Sequence, residues 1–272
     1  MVHGIPGGFE KYYPTKCISA GIPQGIKTVY IEDASLPNDF LLNIIILHPL
    51  NDLTRCQPLH QQSQPHNPSM SPIGVGLIGL STATNPLQPG MWASSSHLPA
   101  ILASPHYELV ALCNSTVQSA KASIVHHNLP PDVKAYGSPE DLAQDPKVDL
   151  VVVSVQVGRH YMLAKPALLA GKAVFVEWPL GVNTAEAKEL ADLAKTKGVK
   201  TVVGLQARAS PLVAKVQEVL DSGRIGKVMS TTVIGTFSGI PTDKFPADAA
   251  YYLDKNSGGN VFTIQLGHCK SP

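Results

Sequence analysis

Cysteine is scarce in this chain. Its 272 residues hold four, Cys17, Cys56, Cys113 and Cys269, far apart and without any Cys-x-x-Cys spacing. That pattern excludes a disulfide framework or a zinc site built on paired thiols, and reads as reduced, structural cysteine in an intracellular protein. His126 and His127 form no metal-ligand spacing with any acid or cysteine, so no metal is expected. Charge of one sign is missing too: 21 Lys and Arg face 20 Asp and Glu, a formal charge of +1 with no basic block. Nothing in that balance attracts nucleic acid. Long hydrophobic runs are also lacking. The stretch Phe40–Leu47 is interrupted by Asn43, and a membrane span needs about 20 apolar residues. It lies too far from the start, without a basic leader, to be a secretory signal. No membrane association is expected, and the cytoplasm or nucleus is the default address.

What is present falls into two unlike parts. Residues 1–70 carry 8 of the 23 prolines, and the stretch 57–68 is rich in Gln and Pro. Such a composition buries too little apolar surface to offset chain entropy, so an irregular or disordered extension is expected there. From Ser71 the pattern changes to short apolar runs alternating with amphipathic stretches, as in βαβ units. Strands are expected at 73–80, 108–113, 150–155, 173–177 and 201–205. Most are nearly continuous Val, Ile and Leu, as in a parallel sheet covered on both faces. Helices are expected near 92–103, after Ser138, over 159–170, over 183–197 and over 211–221. Ser138-Pro-Glu-Asp141 gives a helix start, and Gly171, Gly198 and Gly223 give stops. A β-rich stretch over 227–237 reads as the opening of a different sheet. The fold expected is α/β: a doubly wound parallel Rossmann sheet over 71–205, followed over 206–272 by the beginning of a truncated α+β domain.

A literal G-x-G-x-x-G occurs at Gly74, Gly76 and Gly79. That placement fails, because a strand must end at the first glycine so that the next helix aims its N-terminus at a pyrophosphate. The segment before Gly74 contains Pro68 and Pro72 and cannot be a central strand. The strand is therefore 73–78 and the turn opens at Gly79, with Ser81 where a second glycine normally stands. Gly74 and Gly76 are expected to permit close packing. At the tip of the second strand, Asn114-Ser-Thr116 occupies the place of the carboxylate that normally holds the ribose hydroxyls, leaving NAD and NADP both open.

Four spaced motifs, Ser154-Val-Gln-Val-Gly-Arg-His160, Val176-Glu-Trp-Pro-Leu180, Gly204-Leu-Gln-Ala-Arg208 and the glycine-led stretch Gly258–His268, together resemble the glucose–fructose oxidoreductase/inositol dehydrogenase/MocA (Gfo/Idh/MocA) family. The Glu-Trp-Pro variant, the Trp92…His97 spacing and Gln206-Ala-Arg-Ala-Ser-Pro211 are similar to a fungal branch that includes a galactose-pathway regulator of yeasts. The resemblance spans about residues 71–270. It implies an NAD- or NADP-binding domain lined by Gly79, Ser81, Asn114, Ser154, Val155, His160, Glu177, Trp178, Gln206 and Arg208. His160 is expected to contact the cofactor rather than merely cap its helix. Trp178 stacks on nicotinamide or serves the core. Arg208 clamps an anion or pairs with Glu177.

The departures bear on activity. The resemblance implies Glu-Lys-Pro where this chain has Glu177-Trp178-Pro179, and an acid where it has Ile264, so only His268 remains of the catalytic set. Tryptophan cannot carry a proton, and alcohol oxidation needs a base within reach of the hydroxyl. The family's second domain also needs about a hundred further residues beyond Pro272, so a truncated substrate wall and an undefined oligomeric state are expected. The function expected is dinucleotide binding with weak or no dehydrogenase activity. The alternatives are a regulator that binds a transcriptional activator, or a non-functional fragment.

Overall fold

The computed structural model describes residues 42–45, 71–83, 91–235, 247–260 and 262–269. They fall into two compact units, one drawn from residues 1–64 and 209–245, the other from 65–208 and 246–272.

In the first unit, strand β1 (Leu42–Ile45) pairs antiparallel with the last strand among the described residues, β8 (Thr232–Gly235), Leu42 opposite Gly235 and Ile45 opposite Thr232. The extension expected to be irregular therefore contains a strand, because β8 supplies the backbone partners that Leu-Asn-Ile-Ile cannot find locally. The rest of residues 1–70 lies outside the described residues. The β-rich stretch expected over 227–237 is a strand only from 232 to 235. Residues 227–231 have no regular structure, and 236–237 lie outside the described residues. Helix α6 (Pro211–Asp221) begins as its sequence implies: the Ser210 hydroxyl accepts from Leu212 N–H at 3.2 Å, and Pro211 needs no donor there.

In the second unit, six strands, β2 (Ile73–Ile78), β3 (Tyr107–Cys113), β4 (Lys134–Tyr136), β5 (Leu150–Val153), β6 (Ala173–Glu177) and β7 (Thr201–Gly204), form a parallel sheet in the order β4-β3-β2-β5-β6-β7. The chain leaves β2 toward β3 on one side and returns to β5 on the other. The carboxyl ends of β2, β3 and β5 therefore flank the point where the winding reverses, and open α/β sheets bind ligands there.

Helices cover both faces. On one, Val75, Leu77, Leu109, Leu112 and Val152 pack beneath α1 (Leu98–Ala103) and α2 (Val117–His126). On the other, Ile78, Val151, Val153, Val174 and Val176 pack beneath α3 (Pro139–Gln144), α4 (His160–Leu169) and α5 (Thr184–Lys197). Each fully buried Leu or Val contributes about 1.5–3 kcal/mol of transfer free energy.

Gly74 and Gly76 act as expected of close-packing glycines. A Cβ at Gly74 would lie 1.9 Å from the Lys147 carbonyl oxygen, and one at Gly76 would lie 3.0 Å from a Leu142 methyl of α3. The helix expected near 92–103 is two pieces. A π-helical turn, Ala93–His97, leads into α1, with Leu98 N–H bonded five residues back to the Ala93 carbonyl. Pro99 has no N–H with which to continue the ordinary ladder.

Candidate functional site

Every expected strand exit delivers its residues to the carboxyl edge of the sheet. There a cleft of about 400 Å³ opens between residues 78–82 at the end of β2, Cys113–Ser115 at the end of β3, Gly137 and Pro139 at the start of α3, and Val155, Gln156 and Arg159 after β5. A volume of that order suits a small-molecule ligand.

The turn out of β2 is fixed by sterics. Gly79 has φ +103°, and a Cβ on it would lie 2.3 Å from the Ser154 carbonyl oxygen and 2.5 Å from Val155 Cγ1. Only glycine fits such a position. The following residues are gripped from α2. Asn114 Nδ2 and Ser123 Oγ–H each donate to the Leu80 carbonyl at 2.8 Å, and His127 Nε2 lies 2.9 Å from the Ser81 carbonyl, to which it donates. Ser81 Oγ accepts from Ala83 N–H at 2.9 Å, which leaves the hydroxyl proton available to a ligand. Asn114 spends its amide donors on Leu80, Ser119 and Ser123, and its Oδ1 has no partner among the described residues. His127, which has no metal-ligand spacing in the sequence, holds the turn.

Val155 lines this cleft, whereas Ser154 is buried beneath the turn, with its N–H on the Ile78 carbonyl at 3.0 Å. His160 does not do what was expected of it. Its ring is fully buried, Nδ1 lies 2.7 Å from the Pro179 carbonyl and Nε2 lies 3.0 Å from the Val155 carbonyl. No ring nitrogen is left for a cofactor, so its role is to brace the exits of β5 and β6. Burial pushes the imidazole pKa down, and the two carbonyls and the charges of Glu177 and Glu186 only partly offset it. A neutral ring donates once, so one carbonyl faces a nitrogen lone pair.

A second group gathers at the ends of β6 and β7. Gln206 Nε2 donates to both oxygens of Glu177, at 2.9 and 2.7 Å, and His97 makes a short contact with Glu177 Oε1. The His97 ring stands edge-on to Phe175, 5.2 Å between centroids. Trp178, half-buried, donates Nε1–H to the Thr263 carbonyl at 2.7 Å, and a Cβ on Gly267 would lie 2.0 Å from that nitrogen. Its peptide bond to Pro179 is cis. His268 lies within the field of Glu177. Burial lowers its pKa, and that carboxylate works against the shift. Arg208 is exposed and makes no ion pair among the described residues; the partners of Glu177 are His97 and Gln206 instead.

Sequence reasoning had not placed Ser123, His97, Gln156 or Arg159 at the site. His97 had been noticed only through its spacing from Trp92. At Cys113, on the cleft floor, burial first, then Glu140 and Asp141, push the thiol up to about 11, against a smaller pull from Arg159, and so disfavour the thiolate. Among the described residues no group of His, Cys, Asp and Glu could hold a metal ion, and no helix is long and apolar enough to cross a membrane.

Comparison with known proteins agrees with this geometry. Residues 73–205 match the oxidoreductase family with an NAD-binding Rossmann fold, GFO_IDH_MocA, and residues 211–271 match the Gal80p C-terminal domain. "Dehydrogenase aclE" of Aspergillus oryzae is 40% identical over 199 residues, covering 72% of this chain and 52% of that protein. The galactose/lactose metabolism regulatory protein GAL80 of Saccharomyces cerevisiae is 28% identical over 208 residues, covering 74% of this chain and 46% of that protein. A crystal structure of a Gal80p super-repressor mutant from the same yeast superposes with a TM-score of 0.63 at 29% identity, covering 73% of this chain and 51% of that one. The chain thus spans about half the length of the curated relatives it matches. With its six-stranded parallel sheet, its glycine turn and these two adjoining matches, the chain belongs over residues 73–205 to the Gfo/Idh/MocA oxidoreductase family and continues into a Gal80-like segment.

Proposed function

We propose that this chain binds a nicotinamide dinucleotide and has weak or no dehydrogenase activity. The cleft fits the cofactor: it sets hydroxyl and amide side chains among apolar ones, it carries no carboxylate among the described residues, and its turn is shaped by a glycine that no other residue replaces. Gly79, Ser81, Asn114 and Val155 would hold the adenosine and pyrophosphate part, and Glu177, Trp178 and Gln206 the nicotinamide end. The cofactor supplies hydride transfer when bound.

The observation that carries the weak-activity reading is Trp178. It stands in the place of the family's lysine, and its one donor is spent on the Thr263 carbonyl. Ile264 replaces the family's acid and cannot hold a proton either. The residues left for acid–base work are His268 and the His97–Glu177 pair, whose carboxylate is already engaged by Gln206. Thermal unfolding with and without each dinucleotide tests binding. At a hundred times the dissociation constant, stability rises by about 2.7 kcal/mol. No rise with either nucleotide overturns the binding reading, and robust steady-state oxidation of a sugar or polyol overturns the reading of weak activity.

The match of residues 211–271 to the Gal80p C-terminal domain favours a second reading, a regulator that binds a transcriptional activator and responds to the dinucleotide. Retention of an activation-domain peptide on the immobilised chain supports it. Absence of retention, with and without dinucleotide, disposes of it.

A further inference from the structure

Among the described residues, the cleft carries one formal charge: its lining holds serine, threonine, asparagine, glutamine and apolar residues, no carboxylate, and a single cation, Arg159. Arg159 sits in the short helical turn Val157–Arg159 that leaves β5, on the wall facing Asn114 and Ser115 at the exit of β3. Its side chain is exposed and makes no hydrogen bond or ion pair among the described residues, so all its guanidinium donors remain available. The reach of its charge into the cleft is evident at Cys113, on the floor, where it opposes the upward shift of the thiol. The carboxylates felt at the same thiol, Glu140 and Asp141, belong to the first turn of α3 and do not line the cleft. Glu140 accepts from the Ser138 hydroxyl at 2.8 Å.

At the β3 exit the hydroxyls of Thr116 and Ser119 are consumed in capping α2, whereas Ser115 is exposed and makes no bond among the described residues. A fold of this kind distinguishes NAD from NADP at this edge. An acid here accepts from the ribose 2′-hydroxyl of NAD and repels a phosphate, and a nearby arginine accommodates the 2′-phosphate of NADP. Here the acid is absent and the arginine is present and unpaired.

We infer that the cleft selects the 2′-phosphorylated dinucleotide, with Arg159 as its counter-charge and Ser115 as a neutral donor beside it. The inference rests on the dinucleotide reading above. A phosphomonoester brings a charge of roughly −1.5 to −2 at neutral pH, and a charge-assisted bond from a planar guanidinium is among the stronger ones available to it.

Calorimetric titration of the purified chain with NADP⁺ and NAD⁺ at one fixed salt concentration tests it, with 2′,5′-ADP against 5′-ADP as a probe of the phosphate alone. NADP⁺ binds roughly tenfold more tightly or better, and the 2′-phosphate of the shorter probe reproduces the preference. Arg159→Gln removes most of that difference and leaves NAD⁺ nearly unchanged, and the advantage shrinks with added salt. Ser115→Asp, at an exposed position that does not endanger folding, reverses the preference. Equal binding of the two dinucleotides, tighter NAD⁺, or an equal loss of both in Arg159→Gln overturns this inference and leaves dinucleotide binding standing. Binding of neither by the native chain overturns both.

Discussion

At the scale of single residues, two glycines decide most. Gly79 combines a φ of +103° with no room for a methyl group against the Ser154 carbonyl. Gly79→Ala is expected to cost about 2 kcal/mol or more in urea unfolding and to abolish the dinucleotide-dependent rise in stability. A variant that keeps full stability and the rise contradicts the assignment of the turn. Gly267 touches the Trp178 indole, so Gly267→Ala is expected to push the ring off the Thr263 carbonyl at a cost of about 1–3 kcal/mol. In a Trp92→Phe background, the emission of the remaining tryptophan then shifts to the red; an unchanged spectrum refutes the contact. Gly79 was legible in the sequence because turn chemistry is local: the prolines before Gly74 left the strand one place to be. The role of His160 was not legible. Its motif marks a histidine near the cofactor, yet whether the ring faces a ligand or two carbonyls depends on Pro179, nineteen residues away.

At the scale of elements, the strands came through because burial on both faces writes itself as unbroken Val, Ile and Leu, and α3 and α5 because Ser138 and Asn183 cap them with their own side chains. The elements missed were those with thin local signals. Strand β4 has three residues, too few for any period, and is held by long-range chemistry: Lys134 Nζ and Tyr136 O–H both donate to Asp145 Oδ2, at 3.0 and 2.8 Å. Helix α2 starts with a reciprocal cap whose third residue is Ser119 rather than Glu or Gln, so the usual signature is absent. Yet α2 supplies, through Ser123, a grip on the turn that follows β2. Ser123→Ala, which removes the buried donor to the Leu80 carbonyl, is expected to cost about 1 kcal/mol of stability and to weaken dinucleotide binding, whereas Thr196→Ala, at an exposed position whose hydroxyl bonds only within α5, leaves binding intact. Equal effects of the two on binding contradict a specific role for Ser123.

At the scale of the whole molecule, acid is the vulnerable direction. Burial holds His160 and His268 below the ordinary imidazole value of 6.5. For Asp145, burial raises the pKa, but the bonds from Lys147 N–H, Lys134 and Tyr136 outweigh it and hold the carboxyl below 3.8. All three values are depressed by folding, so the unfolded chain binds more protons and stability is lost as the pH falls. The melting temperature is expected to be level between about pH 7 and 8, to decline once the pH drops below 6.5 as unfolded imidazoles take up protons, and to fall again below 3.8. A melting temperature that climbs between pH 6.5 and 5 contradicts this. The grouping of residues 246–272 with the sheet was not readable either, because Gly258 against Val182, Gly259 against Val157 and Thr263 against Trp178 join segments some eighty to a hundred positions apart. That last contact has a practical corollary for anyone wishing to install chemistry in this scaffold. Indole and glycine here fit like key and lock, so grafting a lysine at position 178 strands a glycine over the vacated space and leaves a carbonyl without its donor. Placing a lysine at that position is therefore a problem of at least two simultaneous changes, and a single swap should yield a less stable chain.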